Sequence, residues 1–476
     1  MPSLPSKPMA NQQEPIVHPY VQADPSTLWR SRPGYLSPAG SNFESTHILL
    51  GRFLADHQSA DPLPEQTLLE ENATFEWGQG QPLEKVLRSD ADLQYLMQHP
   101  LLFRHAITII EPWHHVGHNP WGEAVRASLN VAYIAQKVAD ADSILYPIWS
   151  TGLLNLEALV PIITSGLAVV VEGGDPSIRK ADTFNGAKCS LEDLSQLVEQ
   201  LLLARSPISA PVLFICLGHQ AAAHCHIRLI RRAVEQVLRL ESLDRDREGR
   251  TLSVLQQTCQ KIAAMGTSLK VRKAHRGVIA EGWEHPEFAV GPNEHVEVGD
   301  RHLLHYQSPD AEKDGIPPEL ITAHEVVADE FMGVIDTVIE YERDVFIAMF
   351  HSDEVNQEAI LFANWAYRLL HDTLIAHRFV IAGSSLAWLL QLPYAVEILC
   401  STTLGDQVVT ECSATCILYK DFESKTIRRS FTCQFHPELF SDLQAIGVRQ
   451  PPTYTEMKVN DGVRLFVRLL YEGMQE

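Results

Sequence analysis

Positive charge is scarce in this chain. Lys and Arg number 38 against 60 Asp and Glu, a formal charge of -22 at pH 7. Surfaces that bind nucleic acid or an anionic membrane need clustered cations to displace counterions, so neither is an expected partner. A small molecule or another protein is. Cysteine is sparse too: eight residues in 476 with no CxxC pair, which excludes a disulfide scaffold. Cys412 and Cys416 share a face if ECSATCILY is a strand, and core filling is the expected role there. No apolar run reaches membrane length, because the most apolar region, Leu145 to Val171, is interrupted by Asn155, Glu157 and Pro161. That pattern suits a buried helix followed by a buried strand. The segment MPSLPSKPMANQQEP lacks the apolar core of a signal peptide, so the expected location is cytoplasmic, with reduced thiols. No internal repeat is visible.

What is present is an ordinary globular composition, 45% hydrophobic, long enough to bury a sizeable core. Residues 1–104 are rich in proline and polar residues, carry no motif beyond a short amphipathic stretch in PLEKVLRSDADLQYLM, and are expected to be an extension of unassigned role. From His105 the texture alternates. HAITII, SILYPI, LAVVVEGG and PVLFIC read as strands, while EAVRASLNVAYIAQKVAD, LNLEALVPIITSG and LEDLSQLVEQLLLA read as helices. Strands alternating with helices imply an α/β fold, a doubly wound, mostly parallel sheet with helices on both faces. Farther on, 326–347 and 356–390 look helical, AVEILCSTT, VVTECSATCILYK and IRRSFTCQFH look like strands, and VNDGVRLFVRLLYEGM reads as a final helix.

Chemistry concentrates at PVLFICLGHQAAAHCH. Cys216 falls where an apolar strand gives way to a helix, at the carboxyl edge of the expected sheet, where doubly wound folds bind ligands. A sharp turn there exposes the thiol, Gly218 lets the backbone turn, and the helix N-terminus favours the thiolate. The backbone N–H of Leu217 is placed to stabilise an oxyanion. The downstream segment CQFHPELF supplies the partners a thiolate needs: His436 as acid and base, and Glu438 to orient its imidazole.

ICLGHQ (Ile215 to Gln220) followed by QFHPE (Gln434 to Glu438), both at ends of expected strands, resembles the paired signatures of the class I glutamine amidotransferase family. The glutaminase parts of anthranilate synthase and carbamoyl-phosphate synthetase are the nearest in look. The resemblance implies a flavodoxin-like sheet and a Cys-His-Glu triad, Cys216, His436 and Glu438, that hydrolyses the glutamine side-chain amide through a thioester. The released ammonia would pass to a synthase partner on another chain, and no cofactor or metal is implied. It further implies that Gln220 helps hold glutamine, that Gly173 and Gly174 of VVVEGGDP offer N–H groups to the oxyanion, and that His351 and Ser352 of FHSDEV match a segment whose backbone contacts the bound amino acid. The likeness spans 105–476, with insertions at about 227–320 and, before LPYAVEIL resumes, at 356–390.

Three features depart from the family pattern. Phe214 stands two residues before the cysteine, where the family commonly has glycine; FTCQFHPE lacks the usual glycine; and EPWHHVGHNPW replaces a short loop. His114, His115 and His118 in that last segment are either a metal-binding cluster or polar surface. His224 and His226 lie two apart on a helix and so diverge, and His219 reads as a packing residue. Two further readings stay open beside the amidotransferase: a free-standing γ-glutamyl amide hydrolase, and a non-catalytic binding protein on the same fold. The apolar residues Trp365, Tyr367, Leu369 and Leu370 of the second insertion suggest a docking surface, a lid or added core.

Overall fold

A computed structural model of the chain describes residues 85–438, except 105, 114–115, 119–123, 127, 129–130, 132–141, 204–209, 241–246, 274–275, 299–301, 306–315, 324–345, 348, 405–406, 421–426 and 437. In chain order its strands are β1 (Lys85–Val86), β2 (Ala106–Ile110), β3 (Val116–His118), β4 (Ala124–Arg126), β5 (Asp142–Tyr146), β6 (Ala168–Val171), β7 (Val212–Ile215), β8 (Lys270–Lys273), β9 (Gly277–Glu281), β10 (Val290–Val298), β11 (His302–His305), β12 (Phe346–Ile347), β13 (Phe350–Val355), β14 (Ala395–Leu404), β15 (Gln407–Lys420) and β16 (Ile427–Cys433). The helices that matter below are α1 (Asp90–Gln98), α2 (Leu156–Ile163), α3 (Leu191–Leu202), α4 (Leu217–Arg239), α5 (Arg247–Ser268) and α6 (Gln357–Ala382).

Among the described residues one ten-stranded sheet runs in the order β1-β5-β2-β6-β7-β16-β15-β14-β11-β12. Neighbours from β1 through β16 are parallel, and those from β16 through β12 antiparallel. The parallel half is what AITII, AVVV and VLFI demand. Every residue of these three strands is buried, and a strand apolar at successive positions must be covered on both faces. The fold is therefore α/β, with a mixed sheet in which β2, β5, β6 and β7 are the strands the alternating texture foretold.

Helix starts follow local chemistry. Ser89 caps α1 and Ser190 caps α3, each in a capping box with the aspartate three residues on, Asp92 and Asp193. Leu145 to Val171 resolves into a buried strand end, α2 carrying Pro161, and β6, as its interrupted apolar pattern required.

Three differences from the sequence reading have physical reasons. The sheet begins before residue 105: β1 pairs in parallel with β5, so 85–104, expected within the extension, belong to the α/β layer. Within EAVRASLNVAYIAQKVAD, expected as a helix, Ala124–Arg126 form strand β4 and pair with β3, so cross-strand pairing overrides the helical pattern there, and most of the remaining segment lies outside the described residues. Phe346 and Ile347, expected at the end of a helix, form β12 against β11. Residues 1–84, the rest of 326–345 and the expected final helix lie outside the described residues. No described helix is long and apolar enough to cross a membrane.

Helices α5 and α6 of the expected insertions pack as core. α5 lies against α4 and α6, with Gln256 donating to the carbonyl of Leu240 at 2.9 Å and Thr258 bonded to Thr373 at 3.0 Å. On α6, Trp365, Tyr367 and Leu370 are buried, and the Tyr367 hydroxyl meets His226 Nδ1 on α4 at 2.9 Å. The apolar face that suggested docking is thus turned into the protein's own interior.

Candidate active site

Cys216 caps α4 with φ 48° and ψ -104°, and among the described residues it is the only non-glycine with positive φ. Such a backbone costs on the order of 1–3 kcal/mol and persists only where its surroundings impose it. Two contacts do so here. The Cys216 N–H donates to the carbonyl of Cys433 at 2.7 Å, continuing the β7–β16 ladder to its last rung. At Gly218 an added Cβ would sit 2.5 Å from the carbonyl oxygen of Val171, so only glycine lets the helix start lie this close to the end of β6. The strand thus turns at the cysteine into α4, whose first N–H groups have no intrahelical acceptor.

His436 and Glu438 follow β16, the parallel neighbour of β7, so their segment emerges beside Cys216. The His436 Nδ1–H donates to Glu438 Oε1 at 2.6 Å, both side chains being buried. His436 is also hydrogen-bonded to Cys216, and with Nδ1 occupied, Nε2 is the nitrogen left for the sulfur. Burial opposes charge on this imidazole, but Glu438 and Cys216 outweigh it and hold the His436 pKa well above the ordinary histidine value. An imidazolium between a carboxylate and a sulfur is an arrangement that can deliver a proton to a leaving group and take one back.

The other expected residues gather unequally. Gly174 packs on the elbow, for a Cβ there would lie 2.9 Å from Leu217 Cδ2 and 2.6 Å from Trp113 Cβ. Gly173 is buried between β6 and Gly174. Gln220 Nε2 donates to the carbonyl oxygen of Asp353 at 2.9 Å, joining α4 to the FHSDEV strand β13. His351 turns inward, its Nδ1 2.9 Å from that same carbonyl oxygen, and Nε2 lies 3.4 Å from Thr410 Oγ1. Ser352, next along the strand, is exposed. His219 Nε2–H donates to the carbonyl of Cys412 at 3.1 Å, so Nδ1 accepts from the Thr432 hydroxyl at 2.5 Å. Burial lowers its pKa to about 3, which keeps it a neutral strut. Phe214 is wholly buried in the core cluster that holds Val171 and Leu217.

Two groups escaped the sequence reading. Gln434 stands inside QFHPE, where only the histidine and glutamate were given roles; its Nε2 lies 3.6 Å from Cys216 Sγ and its Oε1 3.3 Å from Gln220 Nε2. The second is a clamp on Asp353. Arg179 grips its Oδ1 through Nε at 3.0 Å and Nη2 at 2.6 Å and reaches Glu287 through Nη1 at 2.6 Å, while the Ser177 hydroxyl bonds its other oxygen. Those pairs span large sequence separations and left no local pattern to read.

All eight cysteines are free and buried. Burial pushes the thiols of Cys189 and Cys259 up to about 12 and raises those of Cys225, Cys400, Cys412 and Cys433. His114 and His115 lie outside the described residues, and only the backbone of His118 is described. Among the described residues no three His, Cys, Asp or Glu side chains group as a metal site. No family model, no curated protein and no solved structure matches this chain.

Proposed function

We propose that this chain is a glutaminase of the class I glutamine amidotransferase type, cleaving the side-chain amide of glutamine through a thioester on Cys216. The observation that carries the reading is a cysteine held at φ 48° on a strand-to-helix turn, bonded to a buried imidazole whose other nitrogen meets a carboxylate at 2.6 Å. The strand order β5-β2-β6-β7-β16 supports it, since it follows the flavodoxin-like arrangement, in which ligands sit at the carboxyl ends of the strands.

In this reading the Cys216 thiolate attacks the amide carbon of glutamine. The carbonyl oxygen takes the negative charge, met by the N–H of Leu217 and by N–H groups of Gly173 and Gly174. His436 gives its Nε2 proton to the amide nitrogen, the carbon–nitrogen bond breaks, and ammonia leaves behind a thioester. The neutral imidazole then takes a proton from water, hydroxide adds to the thioester carbon, and the sulfur departs as thiolate with glutamate released. Gln220 and the β13 backbone around His351 and Ser352 hold the amino-acid end of glutamine. The ammonia is supplied to an acceptor-binding synthase on a separate chain.

The test is purified protein incubated with glutamine while glutamate and ammonia are measured. The expected result is turnover that disappears in Cys216→Ala, and a glutamine-mimicking chloroketone that labels Cys216 alone among eight thiols. Turnover retained in Cys216→Ala, or labelling elsewhere, overturns the assignment; release of amine from γ-glutamyl amides with no glutamine turnover selects the free-standing hydrolase instead.

A further inference from the structure

A side chain within reach of the sulfur and without a role so far is Gln434. It is fully buried, and its backbone N–H donates to the carbonyl of Ser413 at 2.8 Å, which fixes where its side chain starts. Which end of an amide faces a neighbour is normally ambiguous. Here a chain of bonds decides it. The carbonyl of Asp353 accepts only, so the Gln220 atom 2.9 Å away is its NH₂. That NH₂ has a second hydrogen, and the Gln434 atom 3.3 Å from it must accept, so it is the amide oxygen. The remaining Gln434 atom, 3.6 Å from Cys216 Sγ, is therefore a donor.

We infer that Gln434 is a catalytic residue of this site, donating an N–H to the Cys216 sulfur and stabilising the thiolate over the thiol. The inference rests on the reading of Cys216 as nucleophile, though not on glutamine as its substrate. A thiolate accepts hydrogen bonds more strongly than a thiol, so a fixed donor favours the charged form. Gln434 also ties the sulfur, through Gln220, to the Asp353 carbonyl and so to the Arg179 clamp. The donor is thereby oriented from a fixed backbone group rather than left to rotate.

The experiment is alkylation of the full chain by iodoacetamide, with the Cys216 peptide quantified by mass spectrometry at pH 7 and pH 10. Gln434→Met keeps the length and removes the donor; Gln434→Glu keeps an acceptor for Gln220 and turns a carboxylate toward the sulfur. Titratable groups on the elements around the sulfur are Cys433, His436 and Glu438 on and beyond β16, His219 on α4, Glu172 at the end of β6, and Asp353 behind Gln220. Both variants leave them in place. At pH 7 alkylation of Cys216 should slow about tenfold in Gln434→Met, the scale of a hydrogen bond to a charged group, and further in Gln434→Glu. At pH 10, above the range in which an ordinary thiol ionises, the rates of wild type and Gln434→Met should converge.

Wild-type rates at pH 7 in a folded Gln434→Met, or equal slowing at both pH values, overturn the inference, the second because it signals altered access. Should Gln434→Met fail to fold, Gln434→Glu decides by the same criteria. Slowed alkylation in a protein that never hydrolyses glutamine retains the donor and rejects the glutaminase, whereas glutamine turnover with unchanged alkylation does the reverse.

Discussion

A histidine held as imidazolium by a carboxylate and a sulfur has two measurable consequences. The first is kinetic: His436→Ala should lower glutamine turnover by roughly two to four orders of magnitude, the range of a lost acid–base group, while Glu438→Gln should cost less because it keeps a hydrogen-bond acceptor. Equal losses on replacing a surface histidine such as His285 would refute the assignment. The second is thermodynamic. The His436 pKa is raised on folding, so the folded protein gains stability that is fully present below about pH 6.5, the unfolded value, and is lost as pH climbs through the higher folded value. Thermal melts should therefore find wild type most favoured over Glu438→Gln near pH 6, with the gap narrowing in alkaline buffer. A gap that widens with pH would mean that His436 is neutral. Cys216, His436 and Glu438 were legible because each sits in a short segment at a strand end. Gln434 was in plain view within QFHPE, but its role needs Gln220 and Asp353, residues that only the fold brings near.

Elements were legible where their period was strong. AVVV and VLFI gave strands, LEDLSQLVEQLLLA gave a helix, and Gln357–Ala382 emerged as the helix foreseen over 356–390. What sequence could not convey was where that helix turns its apolar side. Trp365, Tyr367, Leu370 and Leu374 are buried, Phe362 meets Trp283 edge-to-face at 5.5 Å, and among the described large apolar residues on α6 only Ile375 stands out as exposed. Burying each large side chain contributes about 1.5–3 kcal/mol, and a whole domain holds only about 5–15 kcal/mol of net stability. Replacing residues 358–388 by a short Gly/Ser bridge should consequently abolish cooperative folding, seen as loss of the near-ultraviolet circular dichroism signal and of a defined melting transition. A shortened protein that melts cooperatively near the wild-type temperature would return the helix to the role of an appended docking surface.

At the scale of the whole molecule, the surplus of acid over base reaches into the interior. Lys273 on β8 is buried beside Glu354 of β13 at 2.6 Å and Glu411 of β15 at 3.6 Å, and Glu358 in the first turn of α6 accepts from the Arg272 N–H at 3.2 Å. One ammonium thus faces three carboxyl groups where the β8–β9 hairpin, β13, the main sheet and α6 meet. The ammonium stays charged, since Glu354 and Glu411 outweigh its burial. Glu358 yields instead: burial first, and then Glu411, raise its pKa to about 7. A carboxyl group whose folded pKa exceeds its unfolded value binds more protons folded than unfolded. Its contribution therefore turns unfavourable as pH rises from about 4.5 to about 7 and stays so above. Glu358→Gln removes that penalty and keeps an oxygen for the Arg272 N–H. It should stabilise the protein by up to about 3 kcal/mol at pH 8, the order set by a rise from about 4.5 to about 7, and by less than about 1 kcal/mol at pH 5. Chemical denaturation at the two pH values measures this directly. A destabilised variant at pH 8 would mean that the ionised Glu358 is needed to balance Lys273, and that the four groups hold together as a net ion pair rather than under acid strain.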